Sequence, residues 1–281
     1  MLSIFIILFS LLFSFIYASD TLLILTGQLR SFQFTKKSFE RHILDILNLD
    51  IVFCISPLQT LISGKTPNIN LDESLEILKT WPSNNYNNKV ILKEVIPFFN
   101  SSNISNKIKS LNTNNVVQQM YVWQTCWNFV KKYEETHNIT YKYYIKHRFD
   151  EALWGNYPSI TEISNLITHN SILLASYLDF CDGVNDRLWI GDKDAVNTAF
   201  NTLSYFSRSS NLENCPEFYL HQNLKSHKTR IYRREFYANV METYTGCPRH
   251  ICLDCNIHNN QYQLLIQRGY NPYIYNITQC I

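Results

Sequence analysis

A chain of 281 residues, 46% hydrophobic and 17% charged, is long enough for one sizeable core with room for a small annex. With 25 basic residues against 23 acidic ones the net charge is +2, which excludes bulk attraction to nucleic acid or to an anionic membrane surface as the basis of function. An anionic ligand must instead be held by a few placed side chains.

The first 19 residues stand apart from the rest. Leu2 to Ala18 is an almost unbroken apolar run with no Lys or Arg before it, at the short edge of what spans a bilayer. It reads as a signal peptide or a short membrane anchor, and the small residues Ala18 and Ser19 suit cleavage. Membrane attachment is expected only through this segment. Four Asn-x-Ser/Thr sequons, at Asn100, Asn103, Asn138 and Asn276, and an even count of eight cysteines agree with entry into the secretory pathway, with residence there or export.

Residues 20–240 carry the alternation of a folded α/β domain. Thr21 to Arg30, TLLILTGQLR, is an apolar run of strand length closed by a glycine turn, and Ser31 to Leu49 has the apolar spacing of a helix face. Asp50 to Ser56 is a second strand, ended by Pro57. Strand, helix and strand in this order form a βαβ unit, so the central sheet is expected to be mainly parallel and flanked by helices. Leu71 to Trp81 is a short helix candidate and Lys89 to Pro97 a more exposed strand. Asn100 to Asn115 reads as a surface loop, and Val116 to His137 as a helix with a broad apolar face.

Tyr141 to Trp154, YKYYIKHRFDEALW, then reads as a buried strand. Residues two apart on a strand share a face, so Arg148 and Asp150 are delivered to one place at its carboxyl end, the usual position of a ligand site in open α/β sheets. Ser171 to Tyr177 is a further strand, and Asp179 to Gly191 a carboxylate-rich loop ending in the short strand Arg187 to Ile190. Helices are expected over Asp192 to Phe206 and Cys215 to Lys225, and a last strand over Thr229 to Tyr237, whose Arg230, Arg233 and Arg234 read as a solvated face. Cys54 lies inside a strand and reads as a buried thiol.

The order of these landmarks resembles that of a group of glycosyltransferase-like proteins that includes the WavE-type lipopolysaccharide-synthesis proteins and related plant, nematode and large-virus sequences. The resemblance is carried by Gly27-Gln28-x-Arg30 after the first strand and by Tyr144-Ile145-Lys146-x-Arg148-x-Asp150 after a long Trp-containing helix. Asn185-Asp186-x3-Ile190-Gly191 and Pro216-Glu217-x2-Leu220 follow in the same order. It spans Thr21 to Tyr237. It implies a GT-A-like (nucleotide-diphospho-sugar transferase) architecture, a nucleotide-sugar donor and a glycan or other hydroxyl acceptor, with no nucleic-acid partner.

Under that resemblance Gly27, Gln28, Arg30, Arg148 and Asn185 are nucleotide-sugar contacts, and Arg148-x-Asp150 stands where such enzymes carry Asp-x-Asp. The paired carboxylates of that motif hold Mn2+ or Mg2+, so Asp150 is the metal-ligand candidate, whereas Arg148 suits direct bidentate contact with a phosphate. Asp186 and Glu217 are the catalytic candidates, Glu217 as general base. Glu217 has a competing reading, as the third residue of a capping box begun by Asn214. Asp179 and Asp182 read as solvated carboxylates. The replaced carboxylate also leaves open a different class of function, a catalytically inactive secreted glycan- or host-binding protein on the same fold.

Residues 241–281 form a polar tail with no evident core. The spacing of Cys247, Cys252, Cys255 and His258 suits zinc, whereas an oxidising lumen points to disulfides among Cys247, Cys252, Cys255 and Cys280.

Overall fold

The computed structural model describes residues 19–29, 32–56, 75–76, 78–82, 88–97, 99, 114–153, 157–176, 179, 181–209, 213, 215–234 and 238–240. The leader, Arg30, Asn100, Asn103, Asn276 and the tail with Cys247, Cys252, Cys255, His258 and Cys280 lie outside the described residues.

The described chain is α/β. A seven-stranded sheet is built from β1 (Thr21–Gly27), β2 (Asp50–Ile55), β3 (Lys89–Val95), β4 (Tyr143–Arg148), β6 (Ser171–Ala175), β7 (Trp189–Gly191) and β8 (Arg230–Arg234). Their spatial order is β3-β2-β1-β4-β7-β6-β8. β5 (Glu151–Leu153) pairs antiparallel with β9 (Ala238–Val240) in a separate two-stranded sheet. β1 runs parallel to both β2 and β4, with Leu23 opposite Ile51 on one side and Ile145 on the other. β7 alone runs against its neighbours, β4 and β6, so the sheet is mixed and mostly parallel.

β1 is central because each of its faces is apolar. Leu22 and Ile24 point into one buried cluster and Leu23 and Leu25 into the other, as strand alternation requires. The first cluster is completed by α2 (Asn114–His137), through Met120, Trp123 and Trp127, and by α4 (Lys193–Phe200), α5 (Thr202–Arg208) and α6 (Pro216–Ser226). The second takes Phe32 and Phe39 from α1 (Phe32–Phe39), Ile43 from the π-helical turn Glu40–Leu44, and Ile163 from α3 (Ile160–Leu166).

Several expectations need correction. The strand expected to run to Trp154 ends at Arg148. A turn through Phe149 and Asp150 follows, because Phe149 turns into the aromatic cluster of Phe32 and Phe53. The helix expected over Asp192 to Phe206 breaks at Asn201, whose side-chain amide donates to the Asn197 carbonyl at 2.7 Å and competes with the main-chain ladder. Cys54 is not a free thiol: it is bonded to Cys126, tying β2 to α2. A second disulfide joins Cys181 to Cys215. Arg233 and Asp179 are not solvated singly, since they pair at 2.7 Å. Among the described residues no helix is long and apolar enough to cross a membrane.

Candidate functional site

In this sheet the chain winds outward from β1 in two directions, to β2 and β3 on one side and to β4 on the other. The carboxyl ends of β1 and β4 therefore flank a topological switch point, where open α/β sheets leave a crevice. Thr26 pairs with Arg148 across these tips, so Gln28, half-buried just beyond β1, lies next to the end of β4. Gly27 permits the exit at φ +110, a conformation that side-chain-bearing residues rarely adopt.

Arg148 and Asp150 meet as expected, but by the turn rather than by strand alternation. Asp150 Oδ1 accepts from Arg148 Nε at 2.8 Å and Oδ2 from Nη2 at 2.9 Å. The Asp150 side chain is 1% exposed and that of Arg148 23%. Burial alone lowers the Arg148 pKa, but pairing with Asp150 outweighs it and holds the guanidinium charged. Asp150 occupies the Nε/Nη2 edge, which leaves the Nη1 end of the fork for a second anion.

Because β7 is antiparallel, the loop that precedes it lies at this same edge of the sheet and brings Asp186 up to Arg148. Gly183 sets how closely that loop meets α6: a Cβ there would lie 2.2 Å from the Glu217 main-chain carbon. The Val184 amide donates to the Glu217 carbonyl at 3.3 Å, and the Cys181–Cys215 disulfide clamps the same junction. These contacts place Glu217 against Asp186. Asn214, the expected start of a capping box, lies outside the described residues; the N-cap of α6 is Cys215, with no side-chain cap bond, and Pro216 occupies the first turn. Glu217 is instead a perturbed acid. Burial and the neighbouring Asp186 charge push its pKa up to about 8, against the pull of Arg187 and Arg148.

Asn185 is fully buried and its side chain shapes the loop, its Oδ1 accepting from the Arg187 and Leu188 amides at 2.9 and 3.4 Å. Asp186 is 2% exposed, and its carboxylate accepts from the Gln119 amide on α2.

Four buried groups go beyond the residues given a role from sequence: Lys146, which stood in the quoted motif without one, and His147, Glu151 and Arg187. Lys146 Nζ donates to the Asp186 carbonyl and, at 3.3 Å, to that of Arg187, between the rings of Trp123 and Trp189. His147 is driven by burial to a pKa of about 3 and is neutral. Glu151 Oε1 lies 3.5 Å from Arg187 Nη1, and burial raises the Glu151 pKa. The available signal was Lys146-His147 within an otherwise apolar strand, because buried ionisable groups concentrate at functional sites.

A divalent cation at Asp150 does not fit these side chains. Both Asp150 oxygens face Arg148, and among the described residues the one group with three ligand atoms within 4.8 Å is His169, Asp192 and Asp194. That group lies at the opposite edge of the sheet, where β6 begins and β7 ends, and Asp192 there caps α4. Asn138, at the end of α2, is exposed with φ 50 and offers its sequon to solvent.

No curated protein matches the chain. The profile of the domain of unknown function DUF7796 covers residues 18–233, from the first residues before β1 into β8, and the chain belongs to that family.

Proposed function

We propose that this chain is a glycosyltransferase of GT-A-like architecture in the secretory pathway, moving a sugar from a nucleotide-sugar donor to a hydroxyl acceptor. The observation that carries the reading is one charge cluster at the switch point: Arg148, partly open to solvent at the tip of β4, faces a carboxyl pair, Asp186 and Glu217, brought from two other elements. Such a crevice suits a ligand that is anionic at one end and hydroxyl-bearing at the other.

Arg148 would take the donor diphosphate through the Nη1 end of its guanidinium, with Asp150 fixing the fork and Gln28 beside it on the nucleotide. Charge that builds on the leaving diphosphate is met by a group already oriented, which is the general form of electrostatic catalysis. The acceptor oxygen attacks the anomeric carbon, the bond from that carbon to the diphosphate oxygen breaks, and the acceptor proton passes to the Glu217 carboxylate. A carboxylate with a pKa near 8 is a stronger base than an ordinary glutamate, and the reaction should speed up as pH rises through that value. The two disulfides are the chemistry of an oxidising compartment and support the secretory assignment.

Thermal shift against a panel of nucleoside diphosphates, with and without manganese, tests the reading, since a ligand bound only by the native state raises its stability by mass action. A rise of a few degrees with one base, without manganese, is expected. No shift with any diphosphate under either condition would favour the glycan-binding alternative.

A further inference from the structure

Lys146 is the single buried lysine among the described residues, 1% exposed in the middle of β4. Holding an ammonium there is unfavourable unless its donors are met. Burial lowers its pKa to about 8, while Asp186, Glu151 and Asp150 oppose that fall and Arg148 adds to it. Its direct partners are main-chain carbonyls of a loop, flanked by two indole faces at 5.1 and 4.6 Å. An uncharged chain of the same length would fill the slot between Trp123 and Trp189 without that cost. What the charge adds is therefore its grip on the loop.

We propose that Lys146 is a positioning residue: by holding the carbonyls of Asp186 and Arg187 it fixes the loop before β7 so that the Asp186 carboxylate stays against Glu217. On the transferase reading above, it thereby tunes the base that receives the acceptor proton. The rest of the loop is fastened elsewhere, through Asn185 to Asp179, Val184 to Glu217 and Cys181 to Cys215; the Asp186 carboxylate accepts from Gln119, and Lys146 acts at the Asp186 peptide itself.

The test is Lys146→Met, read in two ways that need no nucleotide. Hydrogen exchange at the Arg187 and Leu188 amides should accelerate about tenfold relative to the β1 amides. The infrared band of the protonated Glu217 carboxyl, assigned by its loss in Glu217→Gln, should titrate at lower pH than in the wild type, because a looser loop separates the two carboxyls. Unchanged exchange and an unmoved Glu217 titration would overturn the proposal. If Lys146→Met does not fold, Trp123→Phe, which keeps a ring but weakens the hold on the ammonium, should give the same two changes at a smaller size, and their absence there would overturn it equally. Since neither readout involves a donor, failure of the transferase reading would appear separately, as absent diphosphate binding in the wild-type protein.

Discussion

The two edges of the sheet treat buried charge in opposite ways. At the amino edge the buried and half-buried carboxylates Glu134, Asp50 and Asp192 are met by fitted partners. Glu134 accepts from the Tyr141 amide and the Tyr144 hydroxyl and pairs with Lys193 at 2.8 Å, Asp50 accepts from the Tyr141 hydroxyl at 2.6 Å, and Asp192 accepts from three main-chain amides. At the carboxyl edge Lys146, Arg148, Arg187, Asp150, Glu151, Asp186 and Glu217 are crowded together, and Lys146, His147, Glu151 and Glu217 are all moved toward their neutral forms. One edge is built for stability. The other keeps unfavourable electrostatics, the kind of arrangement that concentrates at functional sites.

The largest effect should come from the stable side. Cys54→Ala with Cys126→Ala removes a cross-link spanning 72 residues and should cost about 4 kcal/mol in denaturant unfolding, by releasing the unfolded chain. Glu134→Ala should cost about 2 kcal/mol, because it leaves two buried donors, the Tyr141 amide and the Tyr144 hydroxyl, without their acceptor, with no change in ligand affinity once the protein is folded.

The opposite edge should answer with the opposite sign. Glu217 has a folded pKa above its unfolded value, so the native state binds the extra proton. Its contribution is most favourable below the unfolded value and is lost as pH climbs to about 8. Glu217→Gln should therefore stabilise the protein by a few kcal/mol at pH 8.5 and by almost nothing at pH 4, as followed by thermal melts across pH. A uniform loss across that range would mean that Glu217 is a structural group like Glu134. The smallest effect is expected at Asn138, which follows α2 on the amino-edge side: Asn138→Gln should remove one glycan from protein made in a secretory host, seen by glycosidase digestion and mass spectrometry, with a melting temperature within a degree of the wild type.

Much of this frame was legible in the chain. The apolar runs of β1 and β2 and the broad face of α2 gave strand, helix and parallel pairing directly, because burial on both faces leaves no polar position to confuse the period. Arg148 and Asp150 were found from strand alternation, which brings residues two apart to one face, although the turn through Phe149 and Asp150 is what joins them. β7 escaped as an antiparallel strand because three residues carry no period. That mattered, for the reversal of β7 is what swings Asp186 to the crevice. The juxtaposition of Asp186 with Glu217 depends on Gly183 and on a disulfide between residues 34 apart, and no spacing rule announces either. The Cys54 pairing was hidden because a half-cystine in a buried strand looks like any other small apolar residue.

The central claim is that Arg148 grips a diphosphate at the switch point, and calorimetric titration of uridine and guanosine diphosphates against wild-type protein and Arg148→Lys tests it most directly. The lysine keeps the charge but loses the fork. The account predicts that one diphosphate binds the wild type without added metal and binds Arg148→Lys about tenfold or more weakly, the matching monophosphate being less affected. Equal diphosphate affinity for the two proteins, or none for either, would contradict it.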